Sequence, residues 1–288
     1  QGSVAEFLDF IGPGLMGAGA EGRRQEGFIE HLGEQAFIVA AEVKQAFNLV
    51  IDALYWTFLG PWEGRGFRWG LLLDEMYEMG VRGIRINCLM NFLLGLIIAM
   101  LSAAQLAQFG VGIYVADLTM IAFARELAAV MTAVVVSART GAAIAAELAT
   151  MKVQEEIEAL RGMGLNVAQF LVAPRLLALL LVMPCLVALG MIAGILGGSI
   201  WGIYVLDIRA DQWFHETLGA ASFGDIFQGM LKSLFFAIII ALVGCHNGLR
   251  VEGGSRGVGL MTTRAVVMDI FFIVLVDMVF AAIFYYVL

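Results

Sequence analysis

Long apolar stretches alternate with short polar ones along the chain. Runs of about twenty apolar residues, enough for a helix to cross a hydrocarbon layer of about 30 Å, fall at about 84–109, 119–142, 171–206, 224–246 and 264–288. They predict five transmembrane helices. The third run exceeds a simple crossing and contains Pro174 and Pro184, so it is expected to bend at one of them or to tilt. Before the first run, Val43, Phe47, Val50, Leu54 and Phe58 recur at helical spacing while Glu42, Asn48 and Asp52 fall elsewhere on the wheel. Trp56, Trp62 and Trp69 follow. An apolar stripe with charged flanks and interface tryptophans predicts a helix lying in the membrane surface; Glu42, Lys44 and Asp52 disfavour a sixth crossing. Residues 1–33 hold eight glycines and a charged patch from Glu21 to Glu26, the composition of a flexible linker or tail. No basic-then-apolar signal peptide opens the sequence. The expected fold is all-α: a tail over 1–33, a membrane-surface amphipathic helix region over 34–82, and a five-helix transmembrane domain over 83–288.

Composition agrees with a membrane protein and removes several functions. The 288 residues are 61% hydrophobic and 15% charged, with a mean hydropathy of +0.88, whereas soluble domains carry roughly 25% charged residues. A net charge of -8 excludes a nucleic-acid partner, which needs clustered Lys and Arg. Cys88, Cys185 and Cys245 are scattered in or beside apolar runs and offer neither a disulfide framework nor a zinc spacing. They are read as small core residues. Cys245 and His246 have no second pair to complete a metal site, so no metal is expected. No Gly-Lys-Ser/Thr motif exists, since Lys44, Lys152 and Lys232 follow Val43, Met151 and Leu231. The chain therefore cannot cradle a nucleotide phosphate in a P-loop, and no cofactor is expected on it.

Basic residues set the orientation. Arg65, Arg68, Arg82 and Arg85 precede the first run, Arg139, Lys152, Arg161 and Arg175 flank the second connection, and Arg250, Arg256 and Arg264 the fourth. The other two connections hold only Arg209. By the positive-inside rule the first set is cytoplasmic, which puts the N-terminus inside and the C-terminus outside.

One connection is unusual. Residues 145–163 form an acidic helix carrying Glu147, Lys152, Glu155, Glu156, Glu158 and Arg161. At 100° per residue, Ala146, Ala149, Val153, Ile157 and Leu160 share an arc expected to be buried. Leu148 and Met151 lie on the opposite side among Glu147, Glu155 and Glu158, and are expected to project into the cytosol. An apolar anchor with a charged rim is the pattern of a docking surface.

Charges within the spans are costly and mark sites or structural pairs. At about 1.5 Å per residue from the cytoplasmic end, Lys232 and Asp277 both lie about 20 Å up, and Arg125 and Glu126 about 25 Å up. Lys232 and Asp277 are expected to face each other. The four charges either hold a lipid head group or lock helices together. Gly190, Gly194, Gly198 and Gly202 recur every four residues, a smooth stripe for close helix approach. Asn87 and Asn91 are placed to bond to a neighbouring helix.

The run "ARELAAVMTAVVVSARTGAAIAAELATMKVQEEIEALRGMGLNVAQFLVAPRLLA", followed by "GILGG", "LKSLFFAIIIALVGCHNGL" and "GVGLMTTRAVV", resembles the MlaE-type permeases of ABC transporters that move lipids with MCE-domain proteins. The resemblance extends from about residue 60 to the C-terminus and rests on several motifs in order. Ala128 and Ala129 stand where Gly-Pro is usual, and Ala149 where Gly is usual. It implies a permease subunit without enzymatic activity, working as a homodimer in the bacterial inner membrane with a periplasmic C-terminus. It further implies a cytoplasmic ABC ATPase that binds ATP and Mg, a periplasmic MCE-domain partner, a phospholipid substrate, a coupling helix at Glu147 to Leu160, and a lipid cavity at the dimer centre in which Glu126 is expected, with Arg125 beside it. Two rival functions remain. An ion-coupled secondary transporter of an amphipathic substrate would also bury charges, but internal repeats are missing. A membrane enzyme would want His, Cys or Ser at a common depth, and His31, His215 and His246 fall in a tail, an outside loop and a cytoplasmic end.

Overall fold

Each apolar run is too poor in charge to be stable in water and too poor in turn-formers to break. In the computed structural model each one is a helix. The structure describes residues 48–57 and 69–287; the expected tail over 1–33 and most of the surface-helix region before Gly70 lie outside them. Residues Leu49–Leu288 make up one unit, and all that follows belongs to it. Residues 49–57 form α1. Its Ala53 is fully buried with Leu49, Val50 and Leu54 against the main core, while Asp52 is exposed.

Among the described residues, five helices are long and apolar enough to cross a membrane: α2 (Gly70–Leu106), α3 (Tyr114–Val153), α5 (Ala168–Tyr204), α7 (Phe223–Gly248) and α8 (Gly254–Tyr286). Two short helices connect them, α4 (Glu156–Gly162) and α6 (Ala210–Ala220). The described residues contain no strand. Several helices start or end beyond the apolar runs, because backbone hydrogen bonding continues after the side chains turn polar.

The spans alternate in direction. Hence α4 and the α7–α8 turn share one end of the bundle, where Lys152 Nζ donates to the Leu249 carbonyl at 2.6 Å. The α2–α3 connection and α6 share the other end, where Trp213 of α6 is buried with Ala99, Ala103, Val115 and Ala116. The most extensive helix contact is α5 on α2, and the glycines explain it. A Cβ on Gly95 of α2 would sit 1.9 Å from the Gly194 carbonyl oxygen, and one on Gly197 would sit 2.0 Å from that of Phe92. Any larger residue would push the backbones apart.

The four-residue glycine stripe serves contacts within this chain. Gly190 meets Asn91 and Thr132, Gly194 the Phe123 ring, Gly198 Thr119, and Gly202 the Trp213 ring. Asn87 Nδ2 donates across to the Leu186 carbonyl of α5 at 2.7 Å. Pro184 lies inside α5 and Pro174 near its start, immediately after a π turn at Ala168–Val172. Three further π turns occupy Tyr77–Val81 in α2 and Phe123–Leu127 and Ser137–Gly141 in α3. Such turns are uncommon and often mark functional positions. The α-helix resumes at Ala128.

Candidate functional site

Lys232 is the centre of the first charged cluster. It lies two turns into α7 with no exposed surface, and an unpaired ammonium there would be prohibitively costly. It has two carboxylate partners. Lys232 Nζ donates to Asp277 Oδ1 of α8 at 2.9 Å and also to Glu126 Oε2 of α3. The expected Lys232–Asp277 contact is therefore present, and Glu126, expected in a cavity apart from that pair, joins it. Depth along a membrane normal fixes no azimuth, and the π turn at Phe123–Leu127 carries Glu126 onto the lysine.

The other member of the expected four, Arg125, turns elsewhere. Its Nε donates to Asp225 Oδ1 at 2.5 Å. Asp225 is 7% exposed at its side chain and sits in the first turn of α7, where Ser222 caps the helix by accepting from the Gly224 amide. An acidic residue there is favoured by the helix dipole and by capping. Sequence reading missed Asp225. The Ser222-x-x-Asp225 spacing was a usable signal, and Asp225 lies seven residues before Lys232, on the same face of α7.

Exposure separates the partners in the triad. Lys232 is fully enclosed, whereas the Glu126 and Asp277 side chains are 38% and 24% exposed. Asp277 lies on α8, the least buried of the five spans. That span carries exposed Phe271, Val274, Met278 and Val279. The carboxylates are thus a polar spot beside an apolar face.

The second charged cluster lies at the α4 end. Arg175 of α5, 4% exposed at its side chain, donates from Nε to Glu75 of α2 at 3.0 Å and places Nη2 2.7 Å from Glu147 of α3. One planar guanidinium thereby joins three spans. Sequence reading recorded Arg175 only as a basic residue and did not single out Glu75, which nothing in the linear pattern connects to it. Beside this cluster is a cleft of about 310 Å³ lined by Glu147, Met151, Glu156, Leu160, Met163 and Phe170 among others. A smaller one of about 210 Å³ lies by Glu78, Arg139 and Thr140.

The acidic segment corrects the wheel. It is not one helix, because Glu155 adopts φ 62 and separates α3 from α4. A left-handed non-glycine residue ends the regular rotation on which the wheel depends. Leu148 does not project outward: it is fully buried, its Cβ packed under Gly248 of α7. Val153, expected inside, is 41% exposed. Met151 is half-buried and lines the larger cleft, while Glu155 and Glu158 are exposed. Ala149 and Ile157 are buried as expected.

A third buried acid was not foreseen. Asp269 of α8 accepts from Ser137 Oγ at 3.0 Å, and a Cβ on Gly141 would come within 2.6 Å of its Oδ2. The π turn Ser137–Gly141 supplies both neighbours. Outside the spans, exposed Asp211 accepts from Arg209 at 2.6 Å and 3.1 Å. The Arg209 guanidinium holds its carboxyl below the ordinary value.

Residues 72–283, the whole bundle that carries both clusters, match the model of the family described as Permease MlaE. A probable ABC transporter permease protein of Rickettsia prowazekii is 33% identical over 197 residues, covering 68% of this chain and 76% of the relative. A protein of the same description from Synechocystis is 32% identical, covering 78% of this chain and 86% of the relative. The chloroplastic protein trigalactosyldiacylglycerol 1 of Arabidopsis thaliana is 30% identical, covering 75% and 62%. With a family match over residues 72–283 and relatives above 30% identical over two thirds or more of its length, the chain belongs to the MlaE permease family.

Proposed function

We propose that this permease subunit moves phospholipid, as one half of a homodimer, for an ATP-driven transporter whose ATP and Mg are bound by a separate cytoplasmic ABC ATPase. It works in the bacterial inner membrane with the α4 end cytoplasmic and delivers to, or receives from, a periplasmic MCE-domain protein. The observation that carries the lipid reading is the Glu126–Lys232–Asp277 triad, with two part-exposed carboxylates beside the apolar face of α8. Carboxylates facing hydrocarbon are costly, so a second copy of the chain and a bound head group are the natural cover. Acyl chains then lie along the apolar helices while the polar end meets Arg125, Glu126 and Asp277. The name of the Arabidopsis relative refers to a diacylglycerol lipid, which favours a lipid substrate without selecting its head group.

The α4 end supports the ATPase reading. Its larger cleft combines Met151, Met163 and Phe170 with Glu147 and Glu156, an apolar floor with an acidic rim suited to a helix of basic character. Because Glu147 also holds Arg175, pressure at the cleft reaches α2, α3 and α5 together. The test is reconstitution with the co-purified ATPase in vesicles containing labelled phospholipid. ATP is expected to drive lipid movement, and Met151→Asp to release the ATPase or uncouple hydrolysis while Gln154→Ala does neither. Lipid movement by the chain alone, unaffected by ATP, overturns the proposal in favour of an ion-coupled transporter.

A further inference from the structure

The way the triad is enclosed restricts which lipid head groups suit it, an inference that rests on the lipid-permease reading above. Lysine in a lipid site is ordinarily taken as a phosphate ligand. Here it cannot be one, because Lys232 has no exposed surface and two of its three N–H donors go to Glu126 and Asp277. What the triad presents to the outside is the part-exposed side chains of Glu126 and Asp277, whose polar atoms are carboxylate oxygens. Those atoms accept hydrogen bonds. Counting Arg125 and Asp225 as well, the cluster holds two cations and three carboxylates, so its formal charge is negative.

We infer that the site selects phospholipids whose head group carries a primary ammonium over those with an uncharged alcohol head group. An ethanolamine ammonium donates N–H to the exposed carboxylate oxygens and cancels the excess negative charge in a medium of low dielectric. A glycerol head group has the same phosphodiester but no cation, and its net negative charge adds to that of the site. The phosphodiester common to both lipids does not discriminate. Its donor is Arg125, half exposed at 51% and bonded to Asp225 through Nε, next to Glu126 in the same π turn. The adjacent Arg125 and Glu126 thus offer opposite charges to the two charged groups of a zwitterion.

The experiment uses the full chain purified with its native partners and exchanged into micelles holding equal amounts of phosphatidylethanolamine and phosphatidylglycerol with identical acyl chains. Retained lipid is counted by mass spectrometry. The expected result is a bias of about tenfold toward the ethanolamine lipid, the range of one charge-assisted hydrogen bond, falling to about twofold or less in Glu126→Gln. Equal retention of the two lipids, or a bias toward the glycerol lipid, overturns the head-group inference and leaves the lipid-permease reading intact. A full bias surviving in Glu126→Gln overturns it as well. Retention of neither lipid overturns the lipid-permease reading and the inference together. If Glu126→Gln fails to fold, the wild-type ratio alone decides.

Discussion

Two buried cations, one toward each end of the bundle, are held in the same way and to different effect. Lys232 and Arg175 each lie on one span and each take carboxylates from two others. Lysine is a compact point charge, whereas the arginine fork fixes two bonds in a plane. At Lys232 the cation is sealed and both acids remain part exposed. At Arg175 one acid is nearly buried, with Glu75 at 13% exposure, and the other opens to the cleft, with Glu147 at 59%. The arrangement around arginine is therefore rigid on one side and accessible on the other, as a lever needs, while that around lysine offers acceptors to a ligand. Similar charge counts give different chemistry because both acids stay part exposed around the lysine, whereas one of the two is nearly buried around the arginine.

The comparison is broken most severely at Lys232. Lys232→Met strands two acids and is expected to cost about 3–5 kcal/mol, read as thermal unfolding in detergent. Adding Asp277→Leu alone should recover only part of that, and adding Glu126→Gln as well should recover most. Full recovery in the double variant would show that Glu126 is not a true partner. A subtler change separates fork from point charge: Arg175→Lys keeps the charge but reaches one carboxylate at a time, with an expected loss of about 1.5–3 kcal/mol. An unchanged melting curve would remove the lever.

A third variant probes the triad from a distance. A Cβ on Gly194 would lie 2.0 Å from the Phe123 ring, in the π turn that carries Arg125 and Glu126. Gly194→Ala is expected to cost about 1–3 kcal/mol through overpacking and to reduce lipid retention, although residue 194 touches none of the charges; normal retention would separate the π turn from the site. The smallest effect belongs to the exposed pair. Arg209→Ala should raise the Asp211 titration toward its ordinary value, followed by NMR, with melting unchanged within error. Because Asp211 is held low, its small contribution is complete above the ordinary carboxylate range and disappears as pH falls through the lowered value. High salt should abolish it.

Much of this was legible in the sequence, for reasons that also explain what was missed. The five spans were readable because hydrocarbon thickness imposes a length on apolar runs. Lys232 and Asp277 were matched because depth is a linear function of residue number. Glu126 was placed at about the right height but the wrong relation, since the direction in which it points depends on a π turn. Leu148 was misread because a wheel treats the surroundings as uniform, while Gly248 opens space on one side only. Val153 was misread because the backbone turns just after it. Arg175 with Glu75 joins residues a hundred positions apart, and only folding reveals such a pair.

A π turn contains one residue more than the α-helical turn it replaces. Removing a single residue from Phe123–Leu127 would therefore restore an ordinary helix while α3 on either side kept its neighbours and its length of contact. Only the local presentation of Arg125 and Glu126 would be lost. An insertion of one residue is thus a minimal genetic change by which a plain structural helix acquires a polar site, and a one-residue deletion is the change that erases it without disturbing the scaffold.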